Sequence, residues 1–228
     1  MEKYHLKLAA GWIRGHAINT GMPELPKDLL EMPLEVLTDG ELAAILRRGE
    51  AEGLKLYPFK AGKDILPRVR RVLSFLQGVE FDSLLDVGSG RGVFLLPFLE
   101  AFPKVEVTSV DLLEHRVTFL QELALGGYER LAATRADICD DPFRENCVDV
   151  VTMLEVLEHI PQVEKAVAAA VKTARQYVVV SVPSKEDDNP EHIHVLTKDK
   201  LTALFQAAGC TRLHFDGVNG HLLLIAAV

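Results

Sequence analysis

Two groups of residues in this chain have the types and spacing to do chemistry. The first is Leu84-Leu85-Asp86-Val87-Gly88-Ser89-Gly90-Arg91-Gly92, where an apolar run and an acid lead into three glycines at alternate positions before an apolar stretch resumes at Val93 to Leu99. This pattern predicts a buried strand ending in a tight glycine turn that opens a helix. Glycines suit such a turn because the backbone must bend sharply and let a ligand approach without Cβ atoms in the way. The dinucleotide fingerprint G-x-G-x-x-G does not fit, since its third glycine falls on Val93. A second acid, Asp111, closes the β-type run Val105 to Val110 nineteen residues after Gly92. An acid at the carboxyl end of a second strand is placed to accept both ribose hydroxyls of an adenosine. A third acid, Asp137 in Ala136-Asp137-Ile138, ends another short apolar run.

The second group is Leu154-Glu155-Val-Leu-Glu158-His159-Ile-Pro161. On a helix, Glu155, Glu158 and His159 would stand at i, i+3 and i+4 and share one face. Two carboxylates and an imidazole there could bind a divalent cation, and such a donor set suits Mg²⁺, Mn²⁺ or Fe²⁺ better than a thiolate-bound metal. The downstream loop Asn189-Pro-Glu191-His192-Ile-His194 offers a fourth ligand. Two other readings stay open: a structural role at a helix start, or a metal-free general base, for which an imidazole is suited near neutral pH. His5, His16, His115, His214 and His221 read as surface or packing residues.

The glycine turn with its preceding acid resembles motif I of the class I S-adenosylmethionine-dependent methyltransferases, and the likeness extends over about residues 80–228. It implies a Rossmann-like, seven-stranded, mostly parallel sheet with a terminal antiparallel hairpin. It also implies a cofactor shell of Asp86, Gly88, Ser89, Gly90, Gly92, Asp111, Leu112, Asp137, Ile138 and Leu154, with the Asp137 carboxylate on the adenine amino group. Glu-x-x-Glu-His followed by a histidine is similar to two metal-dependent branches, the ubiquinone-pathway O-methyltransferases and the small-RNA 3′-terminal 2′-O-methyltransferases. By register against the Thr-Lys-Asp-Lys-Leu helix start, His192 matches the family's histidine and His194 does not. The resemblance thus implies a metal set of Glu155, Glu158, His159 and His192 for Mg²⁺ or Mn²⁺, with His159 and Glu158 as catalytic residues. The chain departs from the family at Thr173-Ala-Arg-Gln176, where a Pro-Gly-Gly turn is usual, and in the charged loop Val182 to Pro190. The Asn-Pro-Pro-Tyr motif of amino-directed DNA methyltransferases is missing, which counts against base N-methylation.

Elements able to position these residues follow from periodicity. From Asp82 onward, strands are expected near 83–87, 105–110, 131–136, 148–153, 177–182, 211–216 and 221–227, and helices near 92–102, 114–125, 161–174 and 197–208. Such alternation calls for a parallel α/β sheet covered on both faces. The short Gly217-Val-Asn-Gly220 link forces the last two strands to pair antiparallel. Residues 1–62 break this pattern. Leu6, Ala9, Ala10, Ile13 and Ala17 recur at helical spacing, and Thr38-Asp-Gly-Glu41 is a capping box whose helix stops near Gly53. The expected organisation is an N-terminal helical cap (1–62), lying over the acceptor side of the pocket as such helices often do in the family, and a cofactor-binding domain (63–228). Arg68 to Leu76 forms the helix before the first strand.

Composition bounds the function. The 228 residues are ample for a core, and no apolar run reaches a membrane span of about 18–20 residues. The net charge of −8 argues against broad nucleic-acid binding, which rests on cations neutralising phosphates. Lys55, Lys60, Lys63, Arg68, Arg70 and Arg71 form a local exception against the single acid Asp64, read as a solvated face or an anion-binding rim. Cys139, Cys147 and Cys210, without C-x-x-C spacing, suit reduced thiols, and the N-terminus has no signal-peptide blocks, so a cytoplasmic location is expected. The expectation is O-methylation of a small molecule. The alternatives are RNA 2′-O-methylation and a cofactor-binding protein without catalysis.

Overall fold

The computed structural model describes residues 3–61, 65–186 and 188–228. The chain begins with β1 (Lys3–Tyr4), α1 (Leu6–Thr20), α2 (Lys27–Glu31), α3 (Asp39–Ala51) and β2 (Lys60–Ala61), which pairs antiparallel with β1. The capping box forms: Thr38 Oγ1 accepts the Glu41 N–H, and Glu41 Oε2 accepts the Thr38 N–H at 2.7 Å.

Next come α4 (Pro67–Leu76), β3 (Ser83–Val87), α5 (Leu95–Ala101), β4 (Glu106–Asp111), α6 (Glu114–Leu125), β5 (Leu131–Arg135) and β6 (Val148–Leu154). The chain ends with α7 (Val163–Thr173), β7 (Ala174–Pro183), α8 (Lys198–Ala207), β8 (Arg212–Val218) and β9 (His221–Ala227). The seven-stranded sheet has the order β5-β4-β3-β6-β7-β9-β8, parallel through β7, with β9 antiparallel to both neighbours. The hairpin turns on Asn219 and Gly220 alone, both at positive φ (42° and 85°), which the right-handed strand twist favours. Successive strands step outward from β3 to β5, and the chain then returns to lay β6 on the other side of β3. The carboxyl ends of β3, β4 and β6 therefore flank the point where strand order reverses, the crevice where open α/β sheets take ligands.

Alternate side chains of the central strands feed two cores. Leu84, Val150 and Val179 pack with α4, α5 and α6, while Leu85, Val151 and Val178 pack with α7 and α8. The N-terminal helices join the first of these cores, with Leu8 and Ile13 in one cluster with Phe98, Leu120 and Leu123. Helix α1 lies against α6 so closely that a Cβ on Gly15 would stand 1.6 Å from the Glu122 carbonyl oxygen. The buried Glu122 carboxylate accepts hydrogen bonds from Trp12 Nε1 at 3.0 Å, His16 Nδ1 at 2.8 Å and Asn19 Nδ2 at 3.1 Å. These contacts fasten α1 beside α6. Among the described residues, none of 3–61 lines the large cavity at the carboxyl ends of the strands, whereas Arg68 and Val69 of α4 do.

Candidate active site

The glycine turn bends as its residue types require. Gly88, Gly90 and Gly92 all have positive φ (68°, 58° and 75°), a region that L side chains rarely enter. A Cβ on Gly88 would meet Val156 Cγ2 at 2.7 Å, so the turn and the segment after β6 share a wall that only glycine permits. Gly88 N–H donates to the Val110 carbonyl at 2.7 Å and ties the turn to β4. Ser89 Oγ meets Ser109 Oγ at 2.6 Å and adds a second tie. Because Gly92 stays in the turn, α5 starts at Leu95, later than the periodicity suggested.

A cavity of about 860 Å³ opens here, within the range of small-molecule sites. Asp86, Gly88, Gly90, Asp111, Asp137 and Leu154 all line it, as do Ser89, Leu112 and Ile138. Gly92 does not line it and acts through the turn. Asp111 sits at the carboxyl end of β4, 6% exposed. Its Oδ1 accepts the Leu113 N–H at 2.9 Å, and its Oδ2 accepts the Gly90 N–H at 3.1 Å. A carboxylate has about four acceptor sites, so capacity for a hydroxyl pair remains. Asp137 Oδ1 accepts the Cys139 N–H at 2.8 Å and caps the short turn that carries Ile138. Burial pushes the neighbouring Cys139 thiol up to about 11.

Asp86 is buried, and Thr152 Oγ1 donates to its Oδ1 at 2.6 Å. Its Oδ2 has no hydrogen-bond partner among the described residues. Burial raises this carboxyl from 3.8 to about 6, opposed by hydrogen bonds and reinforced by the nearby Asp111. The cavity therefore presents a carboxylate that is costly to ionise unless a positive or donor group enters. The positively charged sulfonium and ammonium of S-adenosylmethionine are such groups, and the turn, Asp111 and Asp137 match the rest of that molecule. The residues present fit this cofactor.

The Glu155–His159 segment departs from the expected helix. Leu157–His159 is a 3₁₀ turn, and Glu155 has φ +58°, so the shared i, i+3, i+4 face does not form. Glu155 turns away and joins a separate cluster. Its Oε1 accepts Ser181 Oγ at 2.7 Å and faces Arg68 Nε at 3.7 Å, and its Oε2 lies 3.1 Å from His221 Nε2. This removes Glu155 from the four-residue metal set, because its charge is already matched by Arg68.

Glu158, His159 and His192 do come together, each with one ligand-capable atom within 4.8 Å of the others, and the two rings meet edge-on with centroids 4.8 Å apart. Glu158 is fully buried, and of the three only His159 lines the cavity. The loop after β7 is pinned to this turn by backbone bonds. Ile193 N–H donates to the Glu158 carbonyl at 2.9 Å, and His194 Nε2 lies 3.0 Å from the Ile160 carbonyl. His159 Nδ1 faces the Glu191 carbonyl at 2.9 Å. A carbonyl only accepts, so Nδ1 is the donor in this contact, and in the neutral ring Nε2 is the nitrogen that bears the lone pair.

The basic stretch does not form one rim. Arg68 enters the cavity wall, whereas Arg71, on the far side of α4, pairs with Asp216 of β8 at 2.6 Å. Lys63 and Asp64 lie outside the described residues, as does Asp187 of the charged loop. Sequence reasoning missed Thr152, Arg116 and the Glu191 carbonyl as parts of the site. Only the polar Thr152 within an apolar strand gave any signal.

The family model described as "Methyltransferase domain" matches residues 85–179, from β3 into β7. The ribosomal RNA small subunit methyltransferase G of Leuconostoc mesenteroides is 44% identical over 69 residues, 28% of this chain and 29% of that protein. The malonyl-[acyl-carrier protein] O-methyltransferase of Geobacter sulfurreducens is 30% identical over 108 residues, 47% of this chain and 40% of that protein. The chain thus spans less than half the length of these two relatives. A crystal structure of a SAM-dependent methyltransferase from Aquifex aeolicus superposes with TM-score 0.59 at 22% identity, covering 72% of this chain and 91% of that one.

Proposed function

We propose that this chain, which belongs to the class I S-adenosylmethionine-dependent methyltransferases, methylates a hydroxyl oxygen of a small molecule. The observation that carries the reading is the positive-φ glycine turn joined through the Gly90 N–H to Asp111 at the point of strand reversal. S-Adenosylmethionine, when bound, supplies an electrophilic methyl group whose positive charge vanishes on transfer. Asp111 would accept the ribose hydroxyls and Asp137 the adenine amino group, Leu112, Ile138 and Leu154 would flank the bound cofactor, and Asp86 would offset its positive charge. Holding the two reactants in line provides much of the acceleration. The acceptor proton passes to His159 Nε2, the ring nitrogen opposite the Nδ1 contact to the Glu191 carbonyl.

The Glu158–His159–His192 trio also has the donor chemistry to hold Mg²⁺ or Mn²⁺, which would lower the pKa of the acceptor hydroxyl. Residues 63–228 carry this machinery, and α1 of the N-terminal segment packs against α6. The small-molecule reading is supported by a cavity whose cations are offset by Asp86, Asp111, Asp137 and Glu155. The likeness to an rRNA methyltransferase favours the second reading, RNA 2′-O-methylation. Three free cysteines are in keeping with a cytoplasmic protein.

Transfer of radiolabelled methyl from S-adenosylmethionine to small-molecule extract and to total RNA, with and without chelator, tests all of this. Label in the extract is expected. Label in RNA alone would establish the second reading, and label in neither, with cofactor binding intact, would leave a non-catalytic binder. Glu158→Gln and His192→Ala should lose transfer without losing cofactor affinity. Full transfer in excess chelator would remove the metal and leave His159 as the base.

A further inference from the structure

Arg116, in the first turn of α6, lines the cavity beside Asp111. Its Nη1 lies 3.5 Å from Asp111 Oδ2, the oxygen that also accepts the Gly90 N–H. The same Nη1 would be 3.9 Å from a Cβ built on Gly90, so the guanidinium spans the glycine turn and the acid at once. Its side chain is 35% exposed, whereas that of Asp111 is 5% exposed. Asp111 shares its cavity with Asp86 and contributes to that residue's raised pKa. Two carboxylates in one desolvated pocket repel, and a nearby cation offsets the repulsion. Among the described residues, Arg116 is the cation paired with Asp111.

We infer that Arg116 is a positioning residue for cofactor binding, acting through Asp111: it holds that carboxylate turned so that its remaining acceptor sites meet the ribose hydroxyls. The inference rests on the cofactor reading above and goes beyond it by assigning a side chain that touches the acid rather than the sheet. A planar guanidinium keeps a fixed fork toward the carboxylate, and lysine would supply the charge with less orientation.

The test is a double-mutant cycle on the full chain, read by calorimetry with S-adenosylhomocysteine. Arg116→Met should weaken binding about tenfold, as expected for a charge-assisted contact to a binding group. Arg116→Lys should restore part of the loss. In an Asp111→Asn background, Arg116→Met should change affinity less than about twofold, because residues acting through one contact are not additive. A merely structural role would give the same loss in both backgrounds, and that result overturns the inference. So does an unchanged affinity in Arg116→Met while Asp111→Asn binds weakly. Thermal melting of each variant confirms that it is folded. Wild-type protein that binds no S-adenosylhomocysteine would instead overturn the cofactor reading, and this inference with it.

Discussion

Replacing Asp86 with Asn should make this protein more stable at alkaline pH while weakening its hold on cofactor. The carboxyl is raised from 3.8 to about 6 by burial, so the folded state binds a proton more tightly than the unfolded chain does. The sign follows from that: the folded state bears no penalty below about pH 4, and the penalty grows as pH rises and is complete above about pH 6. Its full size is about 3 kcal/mol, from 1.36 kcal/mol per pKa unit. Asparagine keeps an oxygen to accept the Thr152 hydroxyl, now bonded at 2.6 Å, and carries no charge. It also places an amide N–H₂ where Asp86 Oδ2 has no partner, at a cost of about 1 kcal/mol. The net gain at pH 8 is about 2 kcal/mol, or about 4–8 °C in Tm for a chain of this size. At pH 4 the wild-type carboxyl is neutral too, and the variant should be the less stable by about 1 kcal/mol. Urea unfolding at both pH values measures the two differences. A variant destabilised at pH 8, or an equal difference at pH 4 and pH 8, would refute the reasoning. Calorimetry on the same variant should show weaker S-adenosylhomocysteine binding at pH 8, since the carboxylate facing the ammonium is gone.

Three further substitutions separate site geometry from scaffold. Gly88→Ala forces a side chain into φ +68° and against Val156 Cγ2 at 2.7 Å, so S-adenosylhomocysteine affinity should fall at least about tenfold with a strain cost of about 1–2 kcal/mol. Gly53→Ala is the control, with φ +81° and no neighbour within 4 Å; it should cost about 1 kcal/mol of stability and leave affinity unchanged. Glu122→Ala strips the acceptor from Trp12, His16 and Asn19, so urea unfolding should register a loss of about 3 kcal/mol with unaltered cofactor affinity. A loss below about 1 kcal/mol would mean that the network does not brace α1.

The glycine turn and the acids at the strand ends were legible in the sequence because they depend on local pattern. A strand, a glycine turn and the acid at the next strand's end are set by residue type and spacing, and Asp86, Gly88, Gly90, Asp111 and Asp137 stand where those patterns put them. The parallel sheet follows similarly from alternation, and its antiparallel last pair from a link too short for anything but a hairpin. The acceptor half was not legible, because it depends on which way single residues turn. Spacing placed Glu155 beside Glu158 and His159, but that reading assumed an α-helix. The chain makes a 3₁₀ turn after a left-handed Glu155, and one residue at φ +58° sends its carboxylate to Arg68, Ser181 and His221. These partners lie 26 to 87 residues away along the chain, out of reach of any local pattern. The placement of α1 was equally hidden. Its periodicity foretold a helix, but only the close approach of Gly15 to α6 and the buried Glu122 decide that it packs along α6. The sequence by itself determined which elements form and which acid ends which strand, since those depend on neighbours. Tertiary structure alone decided which distant charges meet, because burial makes each polar group take whatever partner the packing brings to it.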